Sequence, residues 1–111
     1  MNNNLFRILS VIGLLAVNVD IWAKGNVMAG QQKSQVCQAC HGSDGNGTDP
    51  SYPNLAGQHA SYLRQSLRDY RSGARTNPVM ASFAKTLGDQ DIEDLAAFYA
   101  SMKGLEDIQI K

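Results

Sequence analysis

The stretch Cys37-Gln38-Ala39-Cys40-His41 contains both cysteines of the chain, and a histidine follows the second one directly. The spacing of the cysteines places the two thiols on the same side of a helical turn. A thioredoxin-like redox pair would need a surrounding βαβ pattern, which the sequence lacks. A zinc site would need two further ligands, and His59 is the only other histidine. A disulfide that closes so short a loop would stabilise the fold very little.

The same five residues form the C-x-x-C-H pattern of covalent c-type haem attachment. Two thiols add across the two vinyl groups of one porphyrin edge, and the histidine that follows is placed to bind the iron. We therefore predict one haem c, attached through Cys37 and Cys40, with His41 as an axial iron ligand. Covalent attachment of this kind fits an oxidising compartment outside the cytoplasm.

The N-terminal residues are typical of a secretory signal peptide. Arg7 supplies a positive charge, an apolar run follows at 8–17, and Ala23 stands at a cleavage position. A permanent membrane anchor would need about 20 apolar residues, and polar residues interrupt this run too early. We predict a cleaved signal peptide at residues 1–23, a mature domain at residues 24–111, a periplasmic location and no membrane span in the mature form.

Length and composition exclude several classes of protein. A chain of 111 residues is long enough for one domain. With 43% hydrophobic and 18% charged residues, it does not resemble a disordered charged tail. Ten basic residues balance ten acidic ones, and a neutral chain is a poor candidate for binding nucleic acid.

Helices are the only regular elements that the apolar spacing predicts, at residues 27–40, 59–72 and 90–102. A glycine closes each of them. Residues 42–57 are rich in Gly, Pro, Asn and Asp and are predicted to be irregular, as are residues 74–87. A loop as long as 42–57 is unusual in a small domain unless it is functional, and wrapping a haem would explain it.

Four residues are candidates for the second axial position on the iron: Met28, Met80, Met102 and His59. Met102 lies on the apolar face of the last predicted helix, where packing is the default role. Met80 lies in a predicted loop, 39 residues after His41. The middle helix separates the two, so the chain can cross to the opposite face of the haem. We predict that Met80 is the ligand, with His59 or an open position as alternatives.

Beyond the haem motif, the residues that carry a family resemblance are Tyr-Pro-Asn-Leu-Ala-Gly-Gln at 52–58, Met80, Leu-Gly-Asp-Gln-Asp-Ile at 87–92 and Asp-Leu-Ala-Ala-Phe-Tyr at 94–99. Through them the chain resembles the small monohaem type of bacterial class I c-type cytochrome, and one half of the dihaem cytochromes c. The resemblance implies an all-α class I cytochrome c fold. In that fold three main helices and long loops wrap around one covalently bound haem.

The resemblance also implies roles for individual residues. His41 and Met80 become the axial pair, and the Pro53 carbonyl accepts a hydrogen bond from the other ring nitrogen of His41. Leu55 packs on the haem. Gly30 allows the first helix to cross closely over Phe98 or Tyr99. At position 88 this chain has Gly where relatives often carry a Ser helix cap.

Ligation by His and Met favours the reduced iron and leaves no open coordination position, so we predict an electron carrier rather than an enzyme. Redox proteins, as donor and acceptor, would dock transiently at an exposed haem edge. One alternative is a haem subunit held permanently in a larger dehydrogenase or reductase. Another is a haem enzyme or gas sensor with a displaceable sixth ligand.

A row of basic residues follows the middle predicted helix: Arg64, Arg68, Arg71 and Arg75. Their spacing places them along one side of a helix. We expect a solvated face, with steering of an acidic partner or contact with the haem propionates as the alternatives.

Overall fold

A computed structural model describes residues 23–105. The predicted signal peptide therefore lies almost entirely outside the described residues. Those residues form no strand, as predicted, and contain five α-helices. The helices are α1 (Val27–Lys33), α2 (Gln38–His41), α3 (Ala60–Ser72), α4 (Pro78–Ala84) and α5 (Asp89–Ser101). Within this range no helix is long and apolar enough to cross a membrane.

The prediction of one continuous helix at residues 27–40 is wrong. The chain forms α1, then a 3-10 turn at Ser34–Val36, and then α2. The Ser34 hydroxyl donates to the Gln31 carbonyl at 2.8 Å. Because an i−3 bond of this kind competes with the regular helical ladder, it favours a break at this point. Cys37 is the junction, and its carbonyl accepts the His41 amide at 2.9 Å.

Close packing between α1 and α5 depends on Gly30, the buried residue of α1. A Cβ at this position would overlap the Asp94 carbonyl and lie 2.6 Å from the Cβ of Phe98. The close crossing that the resemblance implied is therefore present, and Phe98 rather than Tyr99 lies under the glycine. Asp94 also accepts the Asn26 amide at 2.8 Å and Lys33 Nζ at 2.6 Å, which fastens both ends of α1 to α5.

Helix α5 supplies most of the core. Its side chains Leu95, Ala96, Phe98 and Tyr99 form one buried cluster with Leu63 of α3. The rings of Phe98 and Tyr99 lie 5.0 Å apart at an interplanar angle of 56°, a favourable tilted arrangement. The predicted helix at 59–72 begins one residue before α3, and the predicted helix at 90–102 begins and ends one residue after α5.

The expectation that 74–87 is irregular is wrong, because α4 occupies the middle of it. The Asn77 side chain accepts from the amides of Val79 and Met80, and Pro78 occupies the first turn. Asn before Pro is a favourable helix start, since the side chain satisfies free amides and proline has no amide to lose. Met80 therefore lies on a short helix instead of a loop.

The arginine row is not simply a solvated face, because α5 engages three of its members. Arg68 and Arg64 reach the Glu93 carboxylate, with nitrogen–oxygen distances of 2.9 Å and 3.6 Å. Arg71 binds Asp89 at 2.6 Å. Arg75 lies over the Tyr70 ring, 4.6 Å from its centroid. The row thus joins α3 to the acidic start of α5.

Candidate cofactor site

The haem motif lies on the turn that ends in α2. Cys37 is the N-cap of this helix and Cys40 lies within it, so the two thiols are one turn apart. Both are free and partly buried. His41 ends the helix and is 6% exposed. Gly42 follows with a φ of 80°, a left-handed conformation that favours glycine and turns the chain away directly after the histidine.

The His41 imidazole is oriented by the loop that follows. Its Nδ1 lies 2.8 Å from the Pro53 carbonyl oxygen. A carbonyl only accepts, so Nδ1 carries the proton and donates it. In the neutral ring Nε2 then keeps its lone pair, the state in which an imidazole binds a metal. The hydrogen bond that the resemblance implied is thus present.

Residues 42–57 form the loop that holds Pro53. The Gly45 carbonyl accepts the amides of both Leu55 and Ala56, at 2.7 Å and 3.0 Å. The Asn54 side chain accepts the Gly47 amide at 2.8 Å. The Thr48 amide donates to the Cys40 carbonyl at 3.0 Å. These bonds fold the loop onto itself and onto the motif, which fixes the position of the Pro53 carbonyl.

Apolar side chains from separate segments meet at the motif. Partly buried residues that pack against the core cluster are Cys37, Leu55, Ala60, Leu67, Leu87 and Met102. Burial raises the pKa of the Cys37 thiol, and a weaker interaction with Tyr99 opposes this effect. Cys37 and Leu55, both predicted as cofactor-binding residues, therefore border the same apolar core.

The four candidates for the second axial position lie in different surroundings. Met28 is 73% exposed on α1, while Met102 packs against the core cluster. His59 is the exposed N-cap residue of α3. Met80 is partly buried on α4, whose main helix contact is with α3. The structure therefore places Met80 on a different element from His41, and the capped start of α4 orients its backbone.

The donor set fits haem c. Two free thiols one helical turn apart match the two attachment positions of a porphyrin edge. An imidazole with its Nε2 lone pair available follows directly. On α4, beside Met80, the apolar side chains Val79 and Phe83 remain 57% and 44% exposed, which suits contact with a large apolar group. Together these residues can hold an iron porphyrin and exclude water from part of it.

Sequence reasoning missed one feature of this region. The Tyr99 hydroxyl is buried beside the side chains of Ser34 and Cys37. In the sequence Tyr99 reads only as a member of the apolar stripe of α5, and no local pattern connects it with Cys37, 62 residues earlier.

Comparison with known proteins agrees with these observations. The cytochrome c family matches residues 27–103. Cytochrome c4 of Pseudomonas aeruginosa is 43% identical over 93% of this chain and 50% of its own length. Cytochrome c-554(548) of Halomonas halodenitrificans is 46% identical over 71% of this chain and 99% of its own length.

Solved structures show the same fold. Reduced recombinant cytochrome c4 from Pseudomonas stutzeri superposes with a TM-score of 0.69 at 42% identity, over 73% of this chain and 47% of that one. The predicted class I fold and the likeness to one half of a dihaem cytochrome are thereby confirmed. The chain spans about half the length of the cytochrome c4 relatives. A thiosulfate dehydrogenase electron acceptor from Stutzerimonas stutzeri is 41% identical over 62% of this chain and 32% of its own length.

Proposed function

We propose that this chain, which belongs to the cytochrome c family, is a periplasmic electron-transfer protein with one c-type haem and His/Met axial ligation. Members of this family are electron carriers rather than enzymes, and they bind haem c covalently. The observation that carries the proposal is the hydrogen bond between His41 and Pro53. It leaves Nε2 of a nearly buried imidazole available directly beside two free thiols.

Each proposed site residue has a defined task. Cys37 and Cys40 form the thioether bonds, and His41 is the proximal ligand, oriented through Nδ1 by the Pro53 carbonyl. Leu55 supplies apolar contact, which is supported by its position against the core beside Cys37. Haem c, once bound, supplies a one-electron Fe(II)/Fe(III) couple. The match to cytochrome c-554(548) over nearly its whole length supports a unit of this size. A single haem is supported by the two cysteines of the sequence, which both lie in one motif.

Met80 is the proposed second axial ligand. Of the methionines in residues 23–105, Met28 is mostly exposed and Met102 packs against the core, which leaves the thioether on α4. A thioether favours Fe(II) and therefore raises the reduction potential. Occupation of both axial positions also limits direct reaction of the iron with small molecules.

Absorption spectra of single variants test the ligand. We expect Met80→Leu to abolish the weak long-wavelength charge-transfer band of the oxidised protein and to allow rapid carbon monoxide binding when it is reduced. Met28→Leu is the matched control, because that side chain is 73% exposed, and its spectrum should equal that of the wild type. A band that persists in Met80→Leu would exclude Met80. Rapid carbon monoxide binding by the wild type would favour the gas-sensor alternative.

Export through a cleaved signal peptide at residues 1–23 completes the proposal, and the N-terminal sequence pattern supports it. Intact mass of the haem protein from a periplasmic extract tests the boundary. The expected mass is that of residues 24–111 plus one haem. A mass that includes the first 23 residues, or cytoplasmic recovery only, would contradict the proposed export.

A second candidate function is that of a haem subunit within a larger dehydrogenase. The similarity to a thiosulfate dehydrogenase electron acceptor favours it. A free carrier would instead meet its donor and acceptor only transiently, at an exposed haem edge. Gel filtration of native extract distinguishes the two, because a permanent subunit elutes with its complex and a free carrier elutes near the size of the single chain.

A further inference from the structure

The Tyr99 hydroxyl is an unusual feature of the core. Tyr99 is 3% exposed, and its oxygen makes no hydrogen bond of ordinary geometry with any residue in the range 23–105. Buried hydroxyl groups in folded proteins nearly always have a partner, because an unpaired one has lost its water without compensation. Ser34 and Cys37 are the polar neighbours that interact with it.

Ser34 has little capacity left for this partnership. Its hydroxyl proton is donated to the Gln31 carbonyl at 2.8 Å, and its oxygen accepts from Gln38 Nε2 at 3.1 Å. One lone pair remains on that oxygen. The Cys37 sulfur, by contrast, interacts with Tyr99 and forms no other hydrogen bond within residues 23–105.

Conversion of Cys37 into a thioether changes which group can donate. A thioether sulfur has no proton and can only accept. The phenol keeps its proton, because burial raises the pKa of Tyr99. The Tyr99 hydroxyl, a donor without an acceptor, then lies beside the Cys37 sulfur, an acceptor without a donor.

We propose that the Tyr99 hydroxyl donates a hydrogen bond to the Cys37 sulfur once that sulfur is bonded to the haem. Tyr99 is thus a positioning residue that fixes one of the two attachment points from α5. A hydrogen bond to this sulfur withdraws electron density from the porphyrin, which stabilises the reduced state and raises the reduction potential. The inference rests on the proposed function, in which Cys37 carries the cofactor.

Proton NMR of the reduced wild-type holoprotein tests the hydrogen bond without any substitution. We expect a resolved Tyr99 hydroxyl proton, slow to exchange with water, with nuclear Overhauser contacts to the Cys37 β-protons and the adjacent thioether proton. Contacts to the Ser34 β-protons without any to Cys37 would overturn the proposal, as would a hydroxyl proton in rapid exchange. Wild-type protein without covalent haem would instead reject the proposed function itself.

The reduction potential provides a second readout. We expect Tyr99→Phe to lower the midpoint potential, because the substitution removes only the hydroxyl. Tyr62→Phe is the matched control on the 53% exposed tyrosine of α3, and its potential should equal that of the wild type. Equal potentials for Tyr99→Phe and Tyr62→Phe would overturn the proposed electronic effect. If Tyr99→Phe fails to fold, the NMR measurement on the wild type decides.

Discussion

Gly30 is a residue at which a single added carbon should destabilise the fold. Replacement by Ala places a Cβ against the Asp94 carbonyl and 2.6 Å from Cβ of Phe98. Neither group can rotate away, so α1 must move off α5. We expect Gly30→Ala to lower the free energy of unfolding by about 1–3 kcal/mol, the usual range for overpacking. Denaturant unfolding of the holoprotein measures it.

Gly88→Ser is the control for that substitution. Gly88 is exposed with a φ of −77°, and a Cβ there meets nothing closer than the flexible Asp91 carboxylate at 3.3 Å. A Ser at this N-cap should stabilise α5 by about a few tenths of a kcal/mol. Equal unfolding midpoints for Gly30→Ala and the wild type would show that the α1–α5 contact is loose.

The site residues differ in how far the sequence alone could locate them. Cys37, Cys40 and His41 are adjacent in sequence, so their spacing already specifies their chemistry. The bond between His41 and Pro53 spans 12 residues and depends on the folded loop, and only the family resemblance implied it. Neither a motif nor the resemblance indicated the environment of the Tyr99 hydroxyl, because Tyr99 meets Ser34 and Cys37 only in the folded chain.

At the scale of elements, the ion pairs between α3 and α5 are the contacts most sensitive to a change of charge. Glu93 is 15% exposed at its side chain, accepts a hydrogen bond from Arg68 at 2.9 Å and forms an ion pair with Arg64 at 3.6 Å. We expect Glu93→Gln to lower the free energy of unfolding by about 1 kcal/mol at low salt, with the difference shrinking as salt is added. Denaturant unfolding at low and high ionic strength measures both effects.

Asp69→Asn is the matched control on α3. Its carboxylate accepts from the uncharged Gln65 side chain at 2.7 Å, so removal of its charge should leave the salt dependence near that of the wild type. If both variants respond to salt in the same way, the paired arginines do not stabilise the α3–α5 contact.

The elements that the sequence predicted correctly are the ones with a long apolar period. Helices α3 and α5 each contain 13 residues, enough turns for the spacing to be clear. Helix α4 contains 7 residues, too few for a period, although Asn77-Pro78 was a readable start signal. The break at Ser34 was also missed, because a side chain bonded to its own helix leaves no mark on the apolar pattern.

Across the molecule as a whole, Lys33 links the N-terminal helix α1 to α5 through two ion pairs. Its ammonium lies 2.6 Å from Asp94 and 2.8 Å from Asp91. Hydrogen bonds to Asp91 and Asp94 raise the pKa of Lys33 above its ordinary value. The same Lys33 bond, with the Gly88 amide, lowers the pKa of Asp91. Burial raises the pKa of Asp94, but bonds from Lys33, Asn26 and Gln90 outweigh it, and the net shift is downward.

The signs of these shifts predict how stability depends on pH. Unfolded Asp takes up a proton near its ordinary pKa of about 3.9, before the folded carboxyls do. The stabilisation by Asp91 and Asp94 is therefore fully present above that value and is lost as pH falls through their lower folded pKa values. The stabilisation by Lys33 is present below its ordinary pKa of 10.5 and is lost as pH rises through the folded value.

We expect unfolding free energies measured from acid to alkaline pH to fall at both ends. Lys33→Met should flatten both limbs while Lys85→Met, at an exposed lysine after α4, leaves them unchanged. Acid and alkaline limbs that are identical in Lys33→Met and wild type would contradict the role given to this ion-pair cluster.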